Sequence, residues 1–419
     1  MLKKLLLATA TLLACVPAAL ASPPQPGPLD VSATLNGAPY RIVVPAAWNG
    51  TLVVFAHGYR DKADHPGEVD DRSAPASPSA ALEPFLLAQG YALAGSAYKD
   101  NGWAVQEGID DTSALAGYFR DTIAMPERTL LWGFSMGSIV TFETAERTGG
   151  LFDGYLAGCA VGAGTSRAWD GAGALALAYD TVFGFPGTWG TAGDVRDDLD
   201  FDTEVLPKLF GEVINPWNYG KFEFLRLVTG SGGSGLPPAA FPDWIFTNLY
   251  FGTEARAELE RRAGGPVVQN LTHTYSLSAS DTAYLASLGV NAAPYLAAMN
   301  ARRDISAPPF ARNYVEHWAD YSGKIKKPLL TLHTRTDALV PVSHESAYAA
   351  TVAAAGRDGL LAQAYTDGNG HCAFSGPQLL TALGALDGWV TTGAAPTAAS
   401  FPAILGFLPG FVPPAWPQP

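Results

Sequence analysis

An α/β fold with a mostly parallel central sheet is predicted by two stretches of alternating strand-like and helix-like pattern, at 51–164 and 326–388, and by an abrupt change from strand to helix at Ser135. In order, "YRIVVP" at 40–45, the turn "AAWNG" and "TLVVFAHGY" at 51–59 read as a β-hairpin that feeds a buried central strand. "YALAGSAY" at 91–98 is a second buried strand. The stretch 111–123, "DTSALAGYFRDTI", spaces Leu115, Tyr118 and Phe119 as a helix, with the acids Asp110 and Asp111 at its start. Thr129–Trp132 reads as a strand, and Ile139, Val140, Phe142 and Ala145 recur at helical spacing after it. "YLAGCAVGAG" at 155–164 is the next strand.

From 165 to 320 the alternation stops, and the chain becomes rich in aromatics, among them Trp169, Trp189, Trp217, Trp244 and Trp318. It resumes with "KKPLLTLHTRTD" at 326–337, a helical stretch at 342–355, the strand "LAQAYTDG" and a helix at 376–388. The predicted organisation is therefore a core of 22–164 and 321–393, interrupted by a mainly helical insertion at 165–320. The Pro- and Gly-rich tail 394–419 is expected to wrap the surface. No internal repeat is visible.

The first residues, "MLKKLLLATATLLACVPAALAS", have a basic start, an apolar stretch and an A-x-A site, the pattern of a secretory signal cleaved after Ala21. Lipid attachment at Cys15 is the alternative. Pro17 and the threonines argue against a stable membrane span. A composition that is 48% hydrophobic and 16% charged suits a packed globular protein. The net charge of −13, which becomes −15 when Lys3 and Lys4 leave with the signal, argues against nucleic acid or an anionic lipid surface as partner. Only Cys159 and Cys372 remain in the mature chain, too few for a thiolate metal site, and no cofactor or metal is called for.

"GFSMG" puts Ser135 between Gly133 and Gly137 on the strand-to-helix turn. Such a turn strains the serine backbone and leaves no room for side chains two positions away, which glycine satisfies. The helix beginning at Met136 aims its free N–H groups and positive dipole end at the serine hydroxyl, a suitable setting for a nucleophile. A serine needs a base near neutral pKa, and that base needs an orienting carboxylate. Asp337 follows the strand 329–334 and His371 follows the strand 361–366, giving the order serine, acid, histidine. Asp367 is the alternative acid. Of the other histidines, His57 is placed to brace a loop and His333 lies in a strand; His65, His273 and His344 are expected to be exposed, and His317 to pack beside Trp318.

With "GFSMG" as nucleophile turn, "TDALVP" as acid loop, "GNGHC" as histidine loop and "FAHGY" after the first core strand, the sequence resembles the α/β-hydrolase superfamily. The resemblance covers nearly all of the mature chain except 165–320, which stands where that superfamily carries its lid. Together with the signal-like start, it implies a secreted or periplasmic serine hydrolase that cleaves neutral or apolar carboxylic esters, with Ser135, Asp337 and His371 as its triad. It also implies an oxyanion hole from the Tyr59 and Met136 N–H groups, with Gly58 allowing close approach. A peptidase of the proline-aminopeptidase type is the alternative, for which acids of the run 194–204 would hold the substrate amine. That run also reads as a solvated helix start or a calcium site. A catalytically silent binding protein on the same fold is the rival from a different class. An oxidising compartment, and positions on the same rim of the sheet, predict a Cys159–Cys372 disulfide, with two buried thiols as the alternative.

Overall fold

The computed structural model describes residues 26–231 and 241–416; the expected signal segment, Cys15 included, lies outside the described residues. One sheet holds β1 (Leu29–Leu35), β2 (Ala38–Val44), β3 (Thr51–Ala56), β4 (Ala92–Ser96), β5 (Arg128–Phe134), β6 (Gly154–Gly158), β7 (Leu329–Thr336) and β8 (Leu361–Asn369). Their order across it is β1-β2-β4-β3-β5-β6-β7-β8. The first two strands run antiparallel to their neighbours, and all strands from β4 onward in that order pair in parallel. Every residue of β3, β4 and β6 is buried, as is all of β5 after Arg128. Helices therefore cover both faces, which is why these strands read as unbroken apolar runs.

The hairpin lies elsewhere than expected. β2 and β3 do not pair; β4 lies between them, antiparallel to β2 and parallel to β3. Instead β1 folds back on β2 through Asn36 and Gly37, whose φ angles of 52° and 91° are the left-handed pair that a two-residue hairpin turn requires. The "AAWNG" turn serves a different purpose. Its Asn49 donates from the backbone to Gly90 O (2.8 Å) and accepts from Thr51 N through its side chain (2.8 Å), which ties the entry of β3 to the entry of β4.

α1 (Glu83–Ala88) and α13 (Gly376–Thr392) cover one face of the sheet with Leu86, Leu379, Leu383 and Leu386. α2 (Val105–Tyr118), α3 (Met136–Arg147) and α12 (Ser343–Ala354) cover the other with Ile109, Ile139, Phe142, Tyr348 and Val352. α2 begins earlier than the 111–123 expectation and continues as one π-helical turn through Ile123. Its start is fixed by Glu258, which accepts the Trp103 N–H at 2.8 Å from a position 155 residues away in sequence.

Between β6 and β7 the described residues hold no strand of the sheet, and the α-helices there are α4 (Thr165–Phe183), α5 (Leu206–Val213), α6 (Tyr219–Thr229), α7 (Phe241–Gly252), α8 (Glu254–Ala263), α9 (Ala279–Ser287), α10 (Ala293–Ala301) and α11 (Pro309–Ala319). They bury a core of their own around Tyr179, Trp189, Phe222, Trp244, Leu249 and Met299. Of the insertion's tryptophans, Trp169 instead joins the sheet core by packing edge-on to Trp103, and Trp217 is exposed. After α13 the tail crosses the outer edge at β8, where Leu408 N–H donates to Tyr365 O and Asp367 N–H to Gly406 O (2.8 and 2.9 Å). Among the described residues no helix is long and apolar enough to cross a membrane.

Candidate active site

Ser135 follows β5 directly and has φ 57° and ψ −125°, a strained conformation for a residue with a side chain. The flanking glycines are required by contact. A Cβ on Gly133 would lie 2.1 Å from Gly137 O, and one on Gly137 would lie 2.1 Å from Ala56 O. The turn is thus pressed against the end of β3. Ser138 secures it from within: its backbone N–H and its hydroxyl both donate to Ser135 O (2.8 and 2.6 Å), and its hydroxyl accepts from Val161 N–H at 3.0 Å.

Ser135 Oγ lies 2.8 Å from His371 Nε2, and His371 Nδ1 lies 2.8 Å from Asp337 Oδ2. Asp337 is fully buried, and its other oxygen accepts from Leu339 N–H (2.9 Å) and Val340 N–H (2.8 Å). Burial pushes its pKa up, but the charge and hydrogen bond of His371 outweigh burial and hold the carboxyl below the usual range. Asp337, rather than Asp367, is the acid bound to His371. Asp367 is exposed and its backbone is engaged with the tail at Gly406.

Tyr59, Ser135 and Met136 line one cavity of about 340 Å³. The Tyr59 N–H donates to no acceptor among the described residues, and the Met136 N–H, at the first helical position, has no carbonyl within its own helix to bond. Gly58 passes close to the serine: a Cβ there would lie 3.3 Å from Ser135 Cβ and 3.3 Å from Phe134 O. His57 holds this loop from behind. Its ring stacks on Tyr98 at 3.9 Å, its Nδ1 bonds Gly58 O at 2.7 Å, and burial pushes its pKa down to about 4. On the other side the Tyr59 hydroxyl meets that of Tyr250 in α7 at 3.3 Å, and Tyr250 in turn donates to Asp61.

The histidine loop is tied down by a disulfide from Cys372 to Cys159 at the end of β6, with the two Cα atoms 5.1 Å apart. His333 is buried beside Asp337, and burial lowers its pKa. Three expectations of exposed histidines fail. His344 is buried, accepts Ala163 N–H through Nδ1 at 3.2 Å and lines the cavity, and burial pushes its pKa down to about 3. Its backbone N–H donates to Pro341 O at 3.0 Å, which ties the start of α12 to the acid loop. His65 is half-buried against Glu254, and His273 is half-buried at the cavity wall. His317 is exposed but does meet Trp318 edge-on at 5.0 Å.

The acids of 194–204 are distributed rather than gathered. Arg196 pairs with Asp198 (2.6 Å) and Glu204, and Asp200 caps the turn after it by accepting Thr203 N–H at 3.0 Å. None of these acids lines the cavity. The carboxylate that does line it is Asp170, which is bound by both Arg312 Nη groups (2.8 and 3.0 Å) and by Gln269 N–H (2.8 Å). Sequence reasoning missed Asp170, His344 and Trp416 as cavity residues. None of the three carries a local pattern, and each reaches the cavity through contacts distant in sequence.

No family model matches the sequence, and no curated protein matches it. Among solved structures it is similar to an esterase of Pyrococcus furiosus, at 15% identity over 87% of each chain with a TM-score of 0.38. It is similar to feruloyl esterase B of Aspergillus oryzae at 13% identity over 88% of this chain and 82% of that one, with a TM-score of 0.41. It is also similar to a proline iminopeptidase of Mycobacterium smegmatis at 12% identity over 87% and 96%, with a TM-score of 0.36. The chain's own geometry is more informative than these distant likenesses. It has an eight-stranded sheet with one antiparallel edge, a strained serine between β5 and α3, and an acid and a histidine after the last two strands. By that topology the chain has the α/β-hydrolase fold.

Proposed function

We propose that the protein is a serine hydrolase of small carboxylic esters, and that it works outside the cytoplasm. The observation that carries this reading is the hydrogen-bonded line Ser135–His371–Asp337, with 2.8 Å at each step, opening on a cavity of about 340 Å³. In the reaction Ser135 Oγ attacks the ester carbonyl carbon while His371 Nε2 takes the hydroxyl proton. Asp337 keeps the Nδ1–H tautomer and stabilises the imidazolium. The tetrahedral oxygen is held by the Tyr59 and Met136 N–H groups. His371 then gives its proton to the leaving alcohol, and the acyl group stays on Ser135. Water attacks that acyl-enzyme with the same histidine as base, releasing the acid and restoring Ser135. No step requires a cofactor.

The cavity volume lies near the lower end of the roughly 300–1,000 Å³ of small-molecule sites, which favours a small ester over a polymer chain. An aminopeptidase would need a free carboxylate in the cavity for the substrate amine, and Asp170 is already spent on Arg312. The Cys159–Cys372 disulfide agrees with export into an oxidising compartment. A panel of p-nitrophenyl esters and aminoacyl-p-nitroanilides, run beside fluorophosphonate labelling, tests the assignment. Ester turnover with labelling of Ser135 supports it; turnover of the anilides alone would replace it with the peptidase, and no labelling would leave a binding protein.

A further inference from the structure

The cavity is lined by Ser135 and Met136 but not by His371, which meets the serine hydroxyl through Nε2 at 2.8 Å from outside that lining. That asymmetry sorts the two halves of an ester. The leaving oxygen must receive its proton from His371 Nε2, so the alcohol portion departs on the histidine side. The acyl portion, which remains bonded to Ser135, is left to occupy the cavity.

One wall of this cavity comes from an unexpected part of the chain. After crossing β8 the tail passes the start of α12, where Ser346 Oγ donates to Pro413 O (3.2 Å) and Pro414 O (2.7 Å). Two residues later Trp416 turns inward and lines the cavity. Its ring packs edge-on to buried His344, with centroids 4.3 Å apart. His344 is fixed in turn by Ala163 N–H, and it adjoins the acid loop residues Leu339, Val340 and Pro341, which line the same cavity. The indole N–H is buried with no acceptor among the described residues, so what seats this ring is its fit against the histidine and the cavity.

We infer that this cavity is the acyl pocket and that Trp416, delivered by the C-terminal tail, is the specificity-determining residue that limits the size of the acyl group. This rests on the ester-hydrolase reading above. Replacing the indole with a smaller side chain lengthens the pocket on the acid-loop side without touching Ser135, His371 or Asp337. Each methylene admitted to a hydrophobic pocket changes discrimination by about 10- to 200-fold, so the effect is measurable.

The test compares the full chain with Trp416→Ala and Trp416→Phe on two ester series. In one the acyl group grows from acetyl to dodecanoyl on a fixed p-nitrophenol; in the other the alcohol grows on a fixed acetyl group. The ratio of kcat/KM for decanoyl over acetyl is expected to rise at least about tenfold in Trp416→Ala, with Trp416→Phe between it and the parent, while the alcohol series keeps its profile. An unchanged acyl ratio, or an equal change in both series, overturns the inference, because a merely structural tail would shift every ester alike. Fluorophosphonate labelling of Ser135 separates the two levels. Labelled proteins with an unchanged acyl ratio refute the role of Trp416 alone; no labelling of parent or variants refutes the ester-hydrolase reading and this inference with it.

Discussion

Ser135, Met136 and Tyr59, on the sheet side of the cavity, are positioned by backbone, whereas Asn248, Gln269 and Trp416, on its other sides, are positioned by contacts between distant side chains and loops. On the sheet side the turn is pressed against Ala56 O and pinned through Ser138, so Ser135 has almost no freedom. On the helical side Asn248 reaches Trp244 O and Ala338 O (both 2.8 Å), and Gln269 is held through Asp170 and Arg312. The floor rests on the sheet, whereas the walls rest on the insertion's separate core and on the tail. Under the proposed function, reaction type and substrate choice would be carried by different parts of the chain.

The largest effects are expected on the floor. Ser135→Ala and His371→Ala should each lower kcat/KM by about 10⁴-fold or more, with little change in melting temperature. Asp337→Asn should cost about 10³- to 10⁴-fold by favouring the wrong imidazole tautomer, whereas Asp367→Asn should stay within about twofold. Steady-state kinetics on one ester checks all four. Asp337 also gives a pH signature. Its pKa is depressed in the fold, so the stability it contributes is present above the unfolded value near 3.9 and is lost as pH falls through the folded value. Asp337→Asn should therefore flatten the acid limb of the melting profile.

Next come covalent and steric ties to the floor. Removing the disulfide with Cys159→Ser and Cys372→Ser opens a span of 213 residues, for which chain entropy gives a loss of up to about 5 kcal/mol. Because Cys372 adjoins His371, mild reduction should lower activity before the global unfolding seen by circular dichroism. Gly137→Ala forces a Cβ toward Ala56 O and should cost about 3 kcal/mol or more, whereas Gly211→Ala, in the open on α5 of the insertion, should gain about 0.5–1 kcal/mol. Urea denaturation of the two variants sets the floor against the walls directly.

A pH-dependent effect away from the floor concerns buried Glu345 of α12, which accepts from Thr331 Oγ1 and Gln363 Nε2 and whose pKa burial pushes up to about 7. The folded chain keeps this proton from the unfolded value near 4.3 up to about 7, so wild-type stability falls as pH rises through that window. Glu345→Gln keeps the hydrogen-bond acceptor and removes the titration. Its advantage should grow from about pH 5 to pH 7, reach on the order of 1–3 kcal/mol, and then level off. Melting midpoints across that range check it.

The backbone-built floor was also the legible part of the sequence. Gly133 and Gly137 betray the turn at Ser135 because a Cβ at either would meet a backbone oxygen at 2.1 Å, and Asp337 and His371 follow short runs that read as strands. The hairpin was misplaced because buried β3 and alternating β2 are adjacent in sequence, while the strand between them, β4, arrives about forty residues later. The Asn36-Gly37 turn was a readable signal passed over for the Asn49-Gly50 one. His344 and Trp416 could not be read as cavity residues, since an isolated histidine in a helix and a tryptophan in a Pro-rich tail have no local pattern that encodes a shared contact.

The central claim is that Ser135 carries the acyl group during turnover. It is tested most directly by quenching p-nitrophenyl ester hydrolysis with acid in the first turnover and locating the added mass by peptide mass spectrometry. The account predicts an acyl adduct on the peptide containing Ser135, accumulating with the burst of p-nitrophenol and absent from Ser135→Ala. Ester turnover with the adduct on another residue, or undiminished turnover by Ser135→Ala, would contradict it.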